Sequence, residues 1–191
     1  MRHAFMEAMC ERLAAREVAT LRYQFPYMER GSKRPDPQPL LLATVRSVVG
    51  QAKALADGLP LFAGGKSMGG RMTSLAAAQE PLEGIRGIAF FGFPLHAPKK
   101  RTDERAAHLF ETTVPLLFLQ GTRDSFADLT LLRPIVDRLG DRATLSVHED
   151  ADHSFHVPRR TGRTDEEVLD ALADDVRGWL HAVVAGSPAS P

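Results

Sequence analysis

Three residues in this chain have the types and the order to carry out acyl transfer. Ser67 stands in Gly65-Lys66-Ser67-Met68-Gly69, Asp124 closes Gly121-Thr122-Arg123-Asp124, and His153 lies in Asp150-Ala151-Asp152-His153-Ser154-Phe155-His156. A serine hydroxyl becomes a useful nucleophile when a neighbouring base takes its proton, and that base needs a third group to orient it. Serine, acid, histidine is one of the chain orders that such sets follow. The pentapeptide fits G-x-S-x-G, the pattern of a sharp strand-to-helix turn. A serine there is forced into an unfavourable backbone conformation, so its flanks must lack side chains that would collide. Gly65 and Gly69 are expected to supply that clearance, with Gly70 adding more. The turn lifts the hydroxyl above the sheet and aims the amide of Met68 at a developing oxyanion.

Gly65-Lys66-Ser67 has a second reading, as the end of a phosphate-binding loop. Such a loop needs a glycine with four residues between it and Gly-Lys-Ser, so that backbone amides can wrap the phosphates. That position holds Pro60, which lacks an amide proton and has a fixed φ. Leu61 to Ala63 are also apolar residues suited to a strand. Nucleotide binding is therefore set aside, and a nucleotide should not stabilise the protein.

Each site residue needs an element that brings it to the same place. Phe5, Met6, Met9, Cys10 and Leu13 recur at helical spacing, which predicts a helix over about 4–15. Val18 to Phe25 reads as a strand stopped by Pro26, and MERGSKRPDPQP as a polar, proline-bearing loop. Leu40 to Leu55 resumes helical periodicity, Leu61 to Ala63 is a short strand, and Met68 to Ala78 a helix. GIAFFG (87–92) and VPLLFLQ (114–120) have the continuous apolar character of strands buried on both faces. Between them, FPLHAPKKRTDERAAHLF is long and mixed, so 93–112 is expected to form a lid or pocket wall. Leu129 to Leu139 is helical, and Ala143 to His148 is a strand. The last helix opens at Thr164, with Glu167 completing a capping box and Val168, Leu172, Val176, Trp179 and Val183 as its buried stripe.

Strand and helix alternate throughout, which predicts a parallel α/β sheet in one domain over 1–185, followed by a frayed tail at 186–191. Asp124 and His153 then both follow strands, at the carboxyl edge where catalytic groups gather in open parallel sheets. The intervals between the three residues are each long enough for a helix and a strand.

Other candidates compete for these roles. His156 shares the loop of His153 but lies further from the strand end. His148 sits within a strand, either packed or on an exposed face. His96 is placed either lining the pocket or at the surface, and Phe155 as a pocket wall. His3, His108 and His181 read as ordinary surface or helix residues, and Asp103 is the reserve acid. Lys66 reads as an outward or supporting residue without a sharper role.

Composition removes several function classes. Lysine plus arginine number 24 and aspartate plus glutamate 24, so the net charge is zero, which argues against a nucleic-acid partner. The basic clusters Lys99–Arg101 and Arg159–Arg163 read as solvated surface. The single cysteine, Cys10, excludes an internal disulfide, cannot build a cysteine metal site alone, and is expected to be a buried thiol. No apolar run is long enough to span a bilayer, and MRHAFMEAMCERL carries acidic residues rather than an uninterrupted apolar stretch. A soluble, cytoplasmic protein without a membrane partner is expected.

GGKSMGGRM, FGFPLHAPKK, LQGTRD and ADHSF, taken together and in this order, resemble small α/β-hydrolases of the dienelactone-hydrolase-like group. More narrowly, they are similar to the hydrolase-like domain shared by bacterial proteins, the testis-expressed family and a regulatory subunit of the NSL chromatin complex. The resemblance covers nearly the whole chain. It implies a three-layer α/β-hydrolase fold, with Ser67, Asp124 and His153 at the triad positions, a small acyl substrate, and no metal or organic cofactor. Relatives carry a strand and a His-Gly-rich loop ahead of the segment matching RHAFMEA, and that loop supplies a second oxyanion amide. This sequence begins at Met1 inside that loop, so the fold is expected to lack that strand and its donor. An edge left bare in this way would suit a homodimer. The same features leave a second function open, a catalytically impaired interaction module that keeps the fold.

Overall fold

The structure, a computed structural model, describes residues 3–186. Helix α1 (Ala4–Ala14) leads through an extended segment to the single turn α2 (Pro26–Glu29) and the long helix α3 (Gln38–Leu55). Strand β1 (Leu61–Lys66), helix α4 (Met68–Gln79) and strand β2 (Ile85–Phe91) follow. A 3-10 helix (Glu104–Glu111), β3 (Leu116–Gly121), α5 (Leu129–Leu139), β4 (Ala143–His148) and α6 (Asp165–Ala185) complete the order. The four strands form one parallel sheet in the order β1-β2-β3-β4.

Side chains alternate across each strand, and both faces of this sheet are covered. Ile88 and Phe90 of β2, with Leu116 and Phe118 of β3, pack under α3, α4 and α5 through Leu42, Val45, Met72, Leu132 and Ile135. The alternate residues Ala89, Phe91, Leu117 and Leu119 pack against α1 and α6 through Met9, Leu13, Val168, Leu172, Val176 and Trp179. The ladder pairs Ile88 with Leu116 and Phe90 with Phe118, so each layer is continuous from strand to strand. That register fixes which strand ends lie side by side, and the functional groups sit at those ends.

The capping box forms as the sequence predicts. Thr164 accepts from the Glu167 amide at 3.2 Å, and the Glu167 carboxylate accepts from the Thr164 amide at 2.7 Å. Of the stripe on α6, Val168, Leu172, Val176 and Trp179 are buried, and Val183 is partly so. Cys10 is half-buried rather than enclosed. The tail expected to fray lies, beyond Gly186, outside the described residues. Among the described residues no helix is long and apolar enough to cross a membrane.

One element differs from expectation. Val18 to Phe25 forms no strand. Its composition suits a strand, but β propensity is realised only against a ladder partner, and β1 pairs with β2 alone among the described residues. The segment instead anchors by its rings. Phe25 is buried beside Leu41, Leu42 and Val45, and Tyr23 packs edge-on against it at 5.7 Å. Pro26 then opens a helical turn, in the first position where a missing amide proton costs nothing. Asp36 secures that turn by accepting from the Tyr27 amide at 2.8 Å.

Candidate active site

Ser67 sits between the end of β1 and the start of α4 with φ 51° and ψ −118°. A positive φ at a residue with a side chain is uncommon and strained, and persists only when the surroundings enforce it. They do so here. The Ser67 amide donates to Phe91 O at 3.0 Å, and the Arg71 amide donates back to Ser67 O at 3.2 Å. The clearance comes from Gly65 and Gly70. A Cβ on Gly65 would stand 2.8 Å from the Gly70 nitrogen, and one on Gly70 would stand 2.7 Å from the Gly65 carbonyl oxygen. The part expected of Gly69 is corrected by the same geometry: a Cβ there meets nothing within 4 Å. The backbone crossing falls one residue later, because the first turn of α4 folds Gly70 back over β1. Met68 is the first residue of α4, so its amide has no acceptor within the helix.

Asp124 follows β3. Its side chain is 1% exposed and fully engaged. One carboxylate oxygen accepts from the Phe126 amide at 2.7 Å. The other accepts from Gln120 Nε2 and from His153 Nδ1, the latter at 2.7 Å. Gln120 is buried within β3, and its carbonyl accepts from the Phe93 amide at 3.0 Å. It therefore ties the carboxylate to the segment after β2.

His153 follows β4. Its Nε2 accepts from the Ser67 hydroxyl at 2.9 Å, so hydroxyl, imidazole and carboxylate are hydrogen-bonded in series. With Nδ1 donating to Asp124, Nε2 carries the lone pair that a proton acceptor needs. Phe126 covers the imidazole, centroid to centroid at 4.5 Å. The His153 loop is a tight turn built on Asp152, whose carboxylate accepts from the Ser154 amide at 2.7 Å and the His156 amide at 3.0 Å. It rests directly on the end of β3. A Cβ on Gly121 would stand 2.2 Å from Ala151 O, and the Arg123 amide donates to that oxygen at 2.9 Å. Only glycine at position 121 allows the two strand ends to close this far.

Lys66 points inward. Its ammonium donates to His153 O and lies 5.1 Å from the Phe155 ring and 5.5 Å from the Phe5 ring. Burial pushes its pKa down from 10.5 to about 8, against the pull of Asp124 and Asp152.

The remaining candidates lie elsewhere. His96 is buried, donating from Nδ1 to Ala97 O at 3.0 Å and accepting from the Asp128 amide on Nε2 at 3.0 Å. Neither ring nitrogen is left for a substrate, and His96 instead holds the 93–112 segment to the start of α5. Phe155 is buried against Phe5 with stacked rings 5.7 Å apart, so it supports the His153 loop from beneath rather than facing an open pocket. His156 is exposed and pairs with Asp165 at 2.8 Å, and that hydrogen bond raises its pKa. His148 is buried, with Nε2 3.1 Å from Asp175. His108 lies in the 3-10 helix, half-buried: its Nε2 is 2.8 Å from Ser74 Oγ, and burial followed by the charge of Arg71 pushes its pKa down to about 4. Asp103, His3 and His181 are exposed. Among the described residues no group of three or more His, Cys, Asp or Glu could hold a metal ion.

Gln120, Asp152 and the inward course of Lys66 were not expected from the sequence. Gln120 left a signal, a lone amide ending an apolar strand. Asp152 acts within its own loop, on amides two and four residues on, whereas Lys66 reaches a distant segment and could not be read locally.

Comparison with known proteins gives a consistent picture. The alpha/beta hydrolase domain family matches residues 1–181. An alpha-beta serine hydrolase homologue from Coxiella burnetii is similar in structure, with a TM-score of 0.70 at 17% identity, covering 90% of this chain and 76% of that one. Est1E from Butyrivibrio proteoclasticus is similar at a TM-score of 0.69 and 17% identity, over 96% of this chain and 83% of its own. A serine hydrolase without a lid from Xanthomonas campestris is similar at a TM-score of 0.65 and 22% identity, over 100% of this chain and 77% of its own.

Proposed function

Because the chain belongs to the alpha/beta hydrolase domain family, we propose that it is a serine hydrolase acting on an ester or related small acyl substrate. The observation that carries this reading is the unbroken hydrogen-bonded series from Ser67 Oγ through His153 to Asp124, at 2.9 and 2.7 Å. Within the family, the motifs around Ser67, Asp124 and His153 favour the dienelactone-hydrolase-like group.

The proposed reaction uses these groups in turn. Ser67 Oγ attacks the acyl carbonyl while its proton passes to His153 Nε2. Asp124 holds the Nδ1 proton and stabilises the imidazolium that forms. The Met68 amide, free at the helix N-terminus, donates to the oxyanion. As the carbonyl reforms, the bond to the leaving group breaks, and His153 returns the proton to that group. Water then attacks the acyl-enzyme, giving a proton to His153; the acyl–Oγ bond breaks as His153 returns that proton to Ser67, releasing the acid and free Ser67. Segment 93–112 is proposed as a wall of the substrate site.

The test is hydrolysis of a nitrophenyl acyl ester by the parent and by Ser67→Ala. Loss of the nucleophile should lower turnover by roughly 10⁴–10⁶-fold, to the level left by binding and the oxyanion donor. Equal turnover by the two proteins would refute the assignment of Ser67.

A further inference from the structure

We infer that Lys66 is a positioning residue for this site: its ammonium grips the main-chain carbonyl of His153 and so fixes the imidazole between Ser67 and Asp124. What the imidazole does rests on the hydrolase reading above, whereas the grip rests on geometry alone. Lys66 is the last residue of β1, and its side chain turns under the His153 loop instead of running to solvent. There it lies beside the stacked rings of Phe155, on that loop, and Phe5, on α1. The space beside it is kept open by Gly92. A Cβ on Gly92 would stand 3.3 Å from Lys66 Nζ, 3.3 Å from His153 Nδ1 and 3.4 Å from Asp124 Oδ2. Gly92 has φ +71°, so its own backbone also disfavours a side chain. Three polar atoms thus converge on one gap that only glycine leaves free.

The choice of partner identifies the role. No carboxylate lies within salt-bridge distance of Lys66 among the described residues, although Asp124, after β3, and Asp152, on the His153 loop, attract it from further away. Its ammonium's one hydrogen bond among the described residues goes to a carbonyl, and that carbonyl belongs to the residue whose ring must be aimed. Burying an ammonium is costly, and here burial pushes its pKa down to about 8. A residue kept only for packing would have no need of the charge. Asp152 holds the loop from within, and Lys66 ties it to β1, the strand that delivers Ser67. Hydroxyl and imidazole are thereby fixed to the same strand end.

Two substitutions test this. Lys66→Met removes the donor, comes within one atom of the same length and suits a place beside two phenyl rings; Lys66→Arg keeps a charged donor. Labelling of Ser67 by a fluorophosphonate should slow by about 10–100-fold in K66M, the scale expected when a reacting group is misplaced by around 1 Å. For an ester substrate, kcat should fall while KM stays within about twofold, and K66R should recover part of the loss. The parent should also slow above about pH 8, where the ammonium gives up its proton and the grip weakens, and both variants should lack that step. A merely structural role would move none of these. Hydrogen exchange gives a readout independent of activity: amides of 150–156 should exchange at least about tenfold faster in K66M and near the parental rate in K66R, with no other segment exchanging faster. Parental exchange in K66M, or equal loosening in both variants, would overturn the inference. If the parent is not labelled at Ser67 and the loop still loosens in K66M, the hydrolase reading fails and the grip stands. Should neither variant fold, the parent decides: the loop should loosen above about pH 8 relative to the rest of the chain, and an unchanged ratio would overturn the inference.

Discussion

Lys66 shows how a single side chain can serve a site at the expense of stability. A pKa lowered from 10.5 to about 8 means that the folded protein binds fewer protons than the unfolded chain between those values. Stability therefore rises with pH across that window, and below about pH 8 the whole penalty, roughly 3 kcal/mol, is present. Lys66→Met removes it. At pH 7 the variant should be more stable by up to about 3 kcal/mol, with a melting temperature higher by about 2–4 °C per kcal/mol, while the parent's advantage in turnover is lost. The stability gap between the two should shrink between pH 8 and 10.5, and thermal melts over that range check the sign. A gap that widens with pH would contradict the burial account. Ser67, Asp124 and His153 were legible in the sequence because each follows a strand, so the fold class alone brings them to one edge. Gln120 and Lys66 were not, because their roles depend on which segments meet across that edge.

The turn at Ser67 is where the G-x-S-x-G pattern and the structure part company. The pattern assigns clearance to Gly65 and Gly69, whereas the backbone of α4 crosses Gly65 at Gly70. Gly69→Ala should thus be neutral or stabilising by about 0.5–1 kcal/mol, since alanine is the better helix former and nothing stands in its way. Gly70→Ala would put a methyl 2.7 Å from the Gly65 carbonyl oxygen and 3.0 Å from the Phe90 ring. It should lower both melting temperature and Ser67 labelling. Equal behaviour of the two variants would show the crossing to be misplaced. Helices and central strands were readable from periodicity to within a few residues, and β4 at its observed bounds, because their apolar stripes face a core on known sides. Val18 to Phe25 was misread for the opposite reason. Its residues favour a strand, but strand formation is a property of pairs, and the partner is not encoded in the segment itself.

At the scale of the whole molecule, the sheet acts as the instrument that aligns distant segments. Pairing of β1, β2 and β3, regular in β1 from Ala63 onward, places Lys66 beside Phe91 and Phe91 beside Leu119. The continued pairing of β3 with β4 brings Gly121 beside His148. The cores on both faces hold this alignment. Trp179 of α6 packs closely enough on β2 that a Cβ on Gly87 would meet its ring at 2.5 Å. Loops that are separately flexible sequences become a fixed set of strand ends, and Ser67, Asp124 and His153 meet because of that. The proposed function requires that this meeting activate the serine. The most direct measurement is intact-mass and peptide analysis after exposure to a fluorophosphonate, on the parent and on His153→Ala. One adduct on Ser67 in the parent, and its loss when the imidazole is removed, is the predicted result. No adduct in the parent, or an adduct on Ser67 that forms as fast without His153, would contradict the account.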